Sequence, residues 1–174
     1  HGTLSAVDID CAVDRTVICC HSPFAIGQIE IEPVAVPHDA REPCQYLLRN
    51  GSKSLGILTD LGSITPFVLH RYQHLDALLL ECNHDVDMLE NGPYPHSVKR
   101  RIRGDFGHLS NAQAAQFAKE INTTSLQHLV ISHISQQNNT NDLALDTLCR
   151  AIACDRDFVT VADQKTGFSW RELL

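Results

Sequence analysis

Between residues 53 and 162 the chain alternates strand-like apolar runs with helical segments, and this alternation restricts its fold more than any other feature. Residues 53–59, 77–81, 128–132 and 158–162 have the length and content of strands. The first helix runs from Thr65-Pro66 to about His74, with proline at its first position. Two short helical pieces lie near 85–90 and 95–103. Ser110 or Asn111 caps a helix to about Ile121, with Ala112, Ala115 and Phe117 or Ala118 turned inward. The last helix, 141–153, carries Leu143, Leu145, Leu148 and Ile152. Ahead of these, 16–20 and 28–36 are strand-like, with Ile29 and Ile31 alternating with Glu30 and Glu32. Segments 44–49 and 53–59 flank Asn50-Gly51, a hairpin signal because both residues tolerate φ > 0. The "GSKS" that follows lacks the upstream glycine of a phosphate loop. A strand at 168–170 closes the chain after a turn containing Thr166-Gly167. The pattern predicts an α/β sheet with mostly right-handed crossovers.

At 174 residues without repeats or linkers, the chain reads as a single unit. A net charge of −7 argues against a broad electrostatic grip on nucleic acid, so a polyanion needs a local basic patch or a bound metal. The seven cysteines (11, 19, 20, 44, 82, 149 and 154) contain no C-x-x-C pair, which fits neither a disulfide scaffold nor a structural zinc site. Thiols in a reducing cytosol are expected, hence a cytoplasmic location. No apolar stretch approaches the roughly 20 residues that span a bilayer.

Four apolar runs, "VAVPHDAREP", "GILTDLG", "ALLLECNHD" and "LVISHIS", deliver polar residues at their carboxyl ends: His38, Asp60, Glu81 with His84, and His133. Side chains at the carboxyl ends of α/β strands converge on a crevice. Imidazoles and carboxylates are the ligands of Zn²⁺, Mn²⁺ or Fe²⁺. Taken singly, each has a plainer reading: a hydrogen-bonded histidine, a turn cap at Asp60, an arginine partner for Glu81. Four strand ends behaving alike point to a metal. His70 and His74, at i, i+4, lack a metalloprotease glutamate and read as a solvated helix face. There is no G-x-S-x-G elbow, and Cys82 reads as core filler.

These segments, together with "NGPYPHSVKRRIRGDFGHLSNAQAA", resemble the metallo-β-lactamase superfamily, and within it the exonuclease group related to ribonuclease Z. The resemblance covers about residues 24–170. It implies an αββα four-layer sandwich, of which this chain is mainly the C-terminal half, so 1–174 reads as one partial domain. By motif it implies metal ligation by His38, Asp60 and His133, with Asp60 bridging two ions. His108 of "GHLSN" then contacts the scissile phosphate and assists the leaving oxygen, so His108 and Asp60 are the catalytic candidates. His84, and Asn111 of the same motif, are expected on the substrate side, as are Arg100 and Arg101 of "VKRRIR". Glu81 is placed beside the site without a defined role.

The family's H-x-H-x-D-H loop does not occur here, the first residue is His1 and the single methionine is Met88. We therefore expect a piece of a longer protein, with metal weak or absent in this piece alone. An apolar sheet face left bare would favour a homodimer or association with the missing N-terminal half. The function implied is metal-dependent phosphodiester hydrolysis, 5′-to-3′ on DNA, with two Zn²⁺ or Mn²⁺ ions. The alternatives are a small-molecule hydrolase (thioester, lactone or β-lactam) and a non-catalytic association module.

Overall fold

The computed structural model describes residues 16–20 and 22–174. Seven strands form one sheet in sequence order: β1 (Phe24–Ile26), β2 (Ile29–Ala35), β3 (Cys44–Asn50), β4 (Lys53–Leu58), β5 (Ala77–Glu81), β6 (His128–Ser132) and β7 (Val159–Val161). β1 to β4 are an antiparallel meander, and β4 to β7 are parallel. Helix α1 (Pro66–Arg71) links β4 to β5. α2 (Val86–Asn91), α3 (His96–Arg103) and α4 (Asn111–Glu120) link β5 to β6, and α5 (Asn141–Ile152) leads towards β7. Helices α1, α4 and α5 pack against one face of the sheet. The core follows: Leu58, Leu78, Leu80, Leu129 and Ile131 pack with Val68, Tyr72, Ala114, Phe117, Ala118, Ala144 and Leu148.

Thr65 and Ser110 cap where the sequence placed helix starts. Thr65, Asp85, Ser110 and Thr140 each accept a backbone N–H at a helix start, and Ser110 with Gln113 completes a capping box. Other expectations are corrected. The β3–β4 turn is centred on Gly51-Ser52, because Asn50 pairs with Lys53 and only Gly51 takes a positive φ, +59°. Residues 16–20 hold a lone bridge, Cys19 to Ser22, and no strand forms at 168–170. α1 ends at Arg71, so His70 and His74 do not share a helix, and His74 sits at φ +58°. In α4 it is Ala114 that is buried, while Ala112 is exposed.

The opposite face of the sheet carries Leu55, Leu79 and Val130, and the chain end lies against it. Phe168 to Leu173 enclose with these strands a largely apolar cavity of about 340 Å³. Trp170 is fully exposed there. Among the described residues, no helix is long and apolar enough to cross a membrane.

Candidate metal centre

Every group in this site comes from the loops and ends at the carboxyl side of the sheet. His38 follows β2, Asp60 lies two residues beyond β4, Glu81 ends β5 and His133 comes directly after β6. His108 is on the loop joining α3 to α4. Two glycines let these loops close on one another. A Cβ on Gly62 would stand 2.3 Å from the Gly107 nitrogen and 2.4 Å from the Gly104 carbonyl oxygen. One on Gly107 would lie 2.2 Å from the carbonyl oxygens of Arg101 and Ile102. The Asp60 loop is thus seated on the His108 loop, and Gly62 N–H donates to the Pro37 carbonyl (2.9 Å) beside His38.

Glu81 is the buried hub. Its side chain has no exposure, and one oxygen faces Nδ1 of His108 at 2.8 Å and Nδ1 of His133 at 3.2 Å. The other oxygen accepts the Leu61 N–H at 3.2 Å. Burial alone pushes its carboxyl up, but hydrogen bonds from His108 and His133, with their charge, outweigh this and hold it below the usual range. The reciprocal effect raises the pKa of His133, chiefly through its hydrogen bond to Glu81.

Asp60 is the half-open centre, with its side chain 44% exposed. Its Oδ1 lies 3.7 Å from His38 Nε2, 3.6 Å from His133 Nε2 and 3.9 Å from His108 Nδ1. These separations are too long for hydrogen bonds. They suit ligands: two donors each about 2 Å from a tetrahedral ion stand roughly 3.3 Å apart. The tautomers agree. His38 Nδ1 is 3.0 Å from the Gly107 carbonyl and His133 Nδ1 faces Glu81, so both Nε2 atoms are left as donors directed at Asp60. Among the described residues two compact ligand groups occur, His38–Asp60–His108 and Glu81–His108–His133. The donor set therefore fits divalent cations. Asp60 and His133 adopt left-handed backbone, φ +51° and +55°. Such strain in non-glycine residues costs on the order of 1–3 kcal/mol each and clusters at functional sites.

The other expected residues stand further out. Arg101 forks onto Asp39, through Nε and through Nη2 at 3.2 Å, and that hydrogen bond holds the Asp39 carboxyl below its usual range. Asp39 in turn is 3.6 Å from His38 Nε2, so Arg101 reaches the site through it. Arg103 pairs with Glu90, and Lys99 donates to the Glu90 carbonyl (2.6 Å). Arg100 is exposed, with no ion-pair partner among the described residues.

His84 and Asn111 are not brought to the open side. His84 is 1% exposed, and burial, with a contribution from His108, pushes its pKa down to about 4. Asn111 forms a reciprocal amide pair with Asn139 (2.9 and 2.8 Å), and Asn139 also donates to the Cys82 carbonyl (2.8 Å). The Asn111 side chain thus braces the strand end through Asn139, whereas His84 is held through its backbone, its carbonyl accepting the Asn111 N–H at 2.8 Å. Sequence reasoning left Glu81 undefined and missed the Gly107 carbonyl and the Asp39–Arg101 pair. A lone glutamate ending the apolar run "ALLLE" was the available signal for the first.

Comparisons with known proteins identify the family and the fold. Residues 1–134 match the beta-lactamase superfamily domain. Exodeoxyribonuclease YycJ of Bacillus anthracis is 39% identical over 118 residues, covering 68% of this chain and 45% of that protein. Exodeoxyribonuclease WalJ of Streptococcus pneumoniae is 35% identical over 127 residues, covering 73% and 47%. The chain thus spans about half the length of these relatives. The metallo-beta-lactamase fold protein YhfI from Bacillus subtilis superposes with a TM-score of 0.70 at 17% identity, over 97% of this chain and 60% of that one. The sheet and its one-sided helices are therefore those of the metallo-β-lactamase fold, and the chain belongs to the beta-lactamase superfamily.

Proposed function

We propose that the intact protein holds two divalent cations, Zn²⁺ or Mn²⁺, at this cluster and hydrolyses phosphodiesters, degrading DNA from the 5′ end. The observation that carries the reading is the Asp60 oxygen set 3.6–3.9 Å from three imidazole nitrogens while a second carboxylate, Glu81, orients two of them. The names of the two relatives support the substrate class.

In this reading His38, Asp60 and His133 would hold the cations. Bound cations supply an acidified water and neutralise charge on the phosphate. The chain's own groups do the rest. Glu81 accepts a hydrogen bond from the Nδ1–H of His108, which fixes Nε2 as the atom that gives a proton to the departing oxygen. Arg101, anchored on Asp39, keeps that carboxylate from competing for His38, and Arg100 meets the substrate backbone as a free cation. Residues 1–174 are then part of one domain, and the Leu55–Leu79–Val130 face, which the chain end at 168–173 covers in part, belongs against the upstream half of the sandwich. In its absence a second copy covers the face; sedimentation of the 174-residue chain as a compact monomer at high concentration would contradict this.

The test is metal analysis and DNA hydrolysis by intact protein carrying His38→Ala or Asp60→Ala. Loss of stoichiometric metal and of nuclease activity in both is expected. Retention of both properties overturns the reading, and turnover of thioesters or lactones without DNA cleavage transfers the site to a small-molecule hydrolase.

A further inference from the structure

The loop that supplies His108 also presents an aromatic ring that no group of the site uses. Phe106 is 62% exposed, although burying such a side chain is worth about 1.5–3 kcal/mol. Its backbone is firmly held. The Phe106 carbonyl accepts the Asp39 N–H at 2.9 Å, and the Ser63 hydroxyl donates to the Asp105 carbonyl at 3.0 Å. The Gly107 N–H donates to the Gly104 carbonyl at 2.8 Å, and the Gly107 carbonyl anchors His38. A rigid backbone thus carries a solvent-facing ring between α3 and His108. α3 gathers Lys99, Arg100, Arg101 and Arg103 within a chain of net charge −7.

We propose that Phe106 is a stacking platform for a nucleobase of single-stranded DNA entering the site, a role that rests on the nuclease reading above. Charge complementarity selects the occupant, because Arg100 of α3, exposed and with no ion-pair partner among the described residues, favours a phosphate backbone. Base–aromatic stacking needs an unpaired base and tolerates any of the four. The platform therefore predicts preference for single strands over duplex, with little sequence preference.

The experiment uses metal-loaded intact protein and phosphorothioate-linked single strands, so that binding is read without turnover. One abasic position near the 5′ end should weaken wild-type binding about tenfold. Phe106→Ala should weaken binding to the unmodified strand by a similar factor and no longer distinguish abasic from natural strands. A Phe106→Trp variant in a Trp170→Phe background should bind as tightly as wild type, with its fluorescence quenched by the natural strand and not by the strand abasic at the stacking position. Phe106→Ala that still senses the abasic position, or a tryptophan at 106 that is not quenched, overturns the platform even if DNA is cleaved, leaving the nuclease reading intact. Absence of any oligonucleotide binding overturns both.

Discussion

The two carboxylates of the site are held in opposite ways. Glu81 is enclosed, and its contacts at 2.8, 3.2 and 3.2 Å are hydrogen bonds. Asp60 is half exposed, and its contacts at 3.6–3.9 Å are not. One carboxylate is satisfied by protein alone, while the other faces imidazoles across gaps of ligand size. Glu81 therefore belongs to the stability of the fold as much as to the site, whereas Asp60 is left open for the cations proposed above.

The widest expected gap between the two is in stability. Glu81→Ala leaves the Leu61 N–H and two imidazoles without their acceptor, in a place with no solvent access for the lost carboxylate. Removing one partner of a buried hydrogen-bonded charge typically costs about 3–5 kcal/mol. Urea unfolding of metal-free protein should show a loss of that size, and chelation of the wild type should not reproduce it. If Glu81→Ala unfolds at the wild-type midpoint, the enclosed side is not structural and the contrast fails.

Asn111 tests the bracing behind both carboxylates. Asn111→Ala removes both hydrogen bonds to Asn139, 28 residues on, which itself holds the Cys82 carbonyl next to Glu81. A buried polar group left unpaired costs about 1–3 kcal/mol. The variant should lose that stability while the salt dependence of DNA binding stays as in wild type. A DNA-binding defect without a stability change would return Asn111 to the substrate side.

What the sequence made legible was the set of strand ends, because a histidine or carboxylate terminating an apolar run is a local conflict visible residue by residue. Asp60, His38 and His133 all stand at such ends. What it hid was pairing. The Glu81 network joins residues 61, 108 and 133, and the Asn111 amide looked like a substrate contact because its partner Asn139 lies 28 residues on, in the loop after β6. Backbone handedness was hidden too. Nothing local predicts a positive φ at Asp60, His74 or His133, and the hairpin turn slid by one residue onto Gly51-Ser52. The fold class survived these errors because alternation and crossover handedness do not depend on them.

A smaller effect separates two substitutions at Asp60 itself. Both Asp60→Ala and Asp60→Gly remove the carboxylate proposed to hold the cations, but only glycine accepts φ +51° without a Cβ penalty. In metal-free protein Asp60→Gly should be the more stable by about 1 kcal/mol, measured as a difference in unfolding midpoints at constant m. Equal stabilities would mean that the left-handed backbone at this position carries no strain.

The smallest expected change lies at the rim, where Arg100 and Arg101 repeat the contrast between a free group and an engaged one. Arg101 is committed to Asp39, which stands 3.6 Å from the nitrogen of His38 that faces Asp60. Arg100 has no such partner among the described residues, which leaves it able to exchange counterions for a phosphate. Arg100→Ala should reduce the slope of log affinity for single-stranded DNA against log salt by about 0.7, the value for one lost phosphate contact. Arg101→Ala should leave that slope nearly unchanged and instead weaken metal retention, because the released Asp39 can turn to His38. A titration across salt concentrations, run beside metal analysis of the same two variants, separates the roles. Equal slope changes in both would show that Arg101 leaves Asp39 to meet the substrate, making the rim a single basic surface.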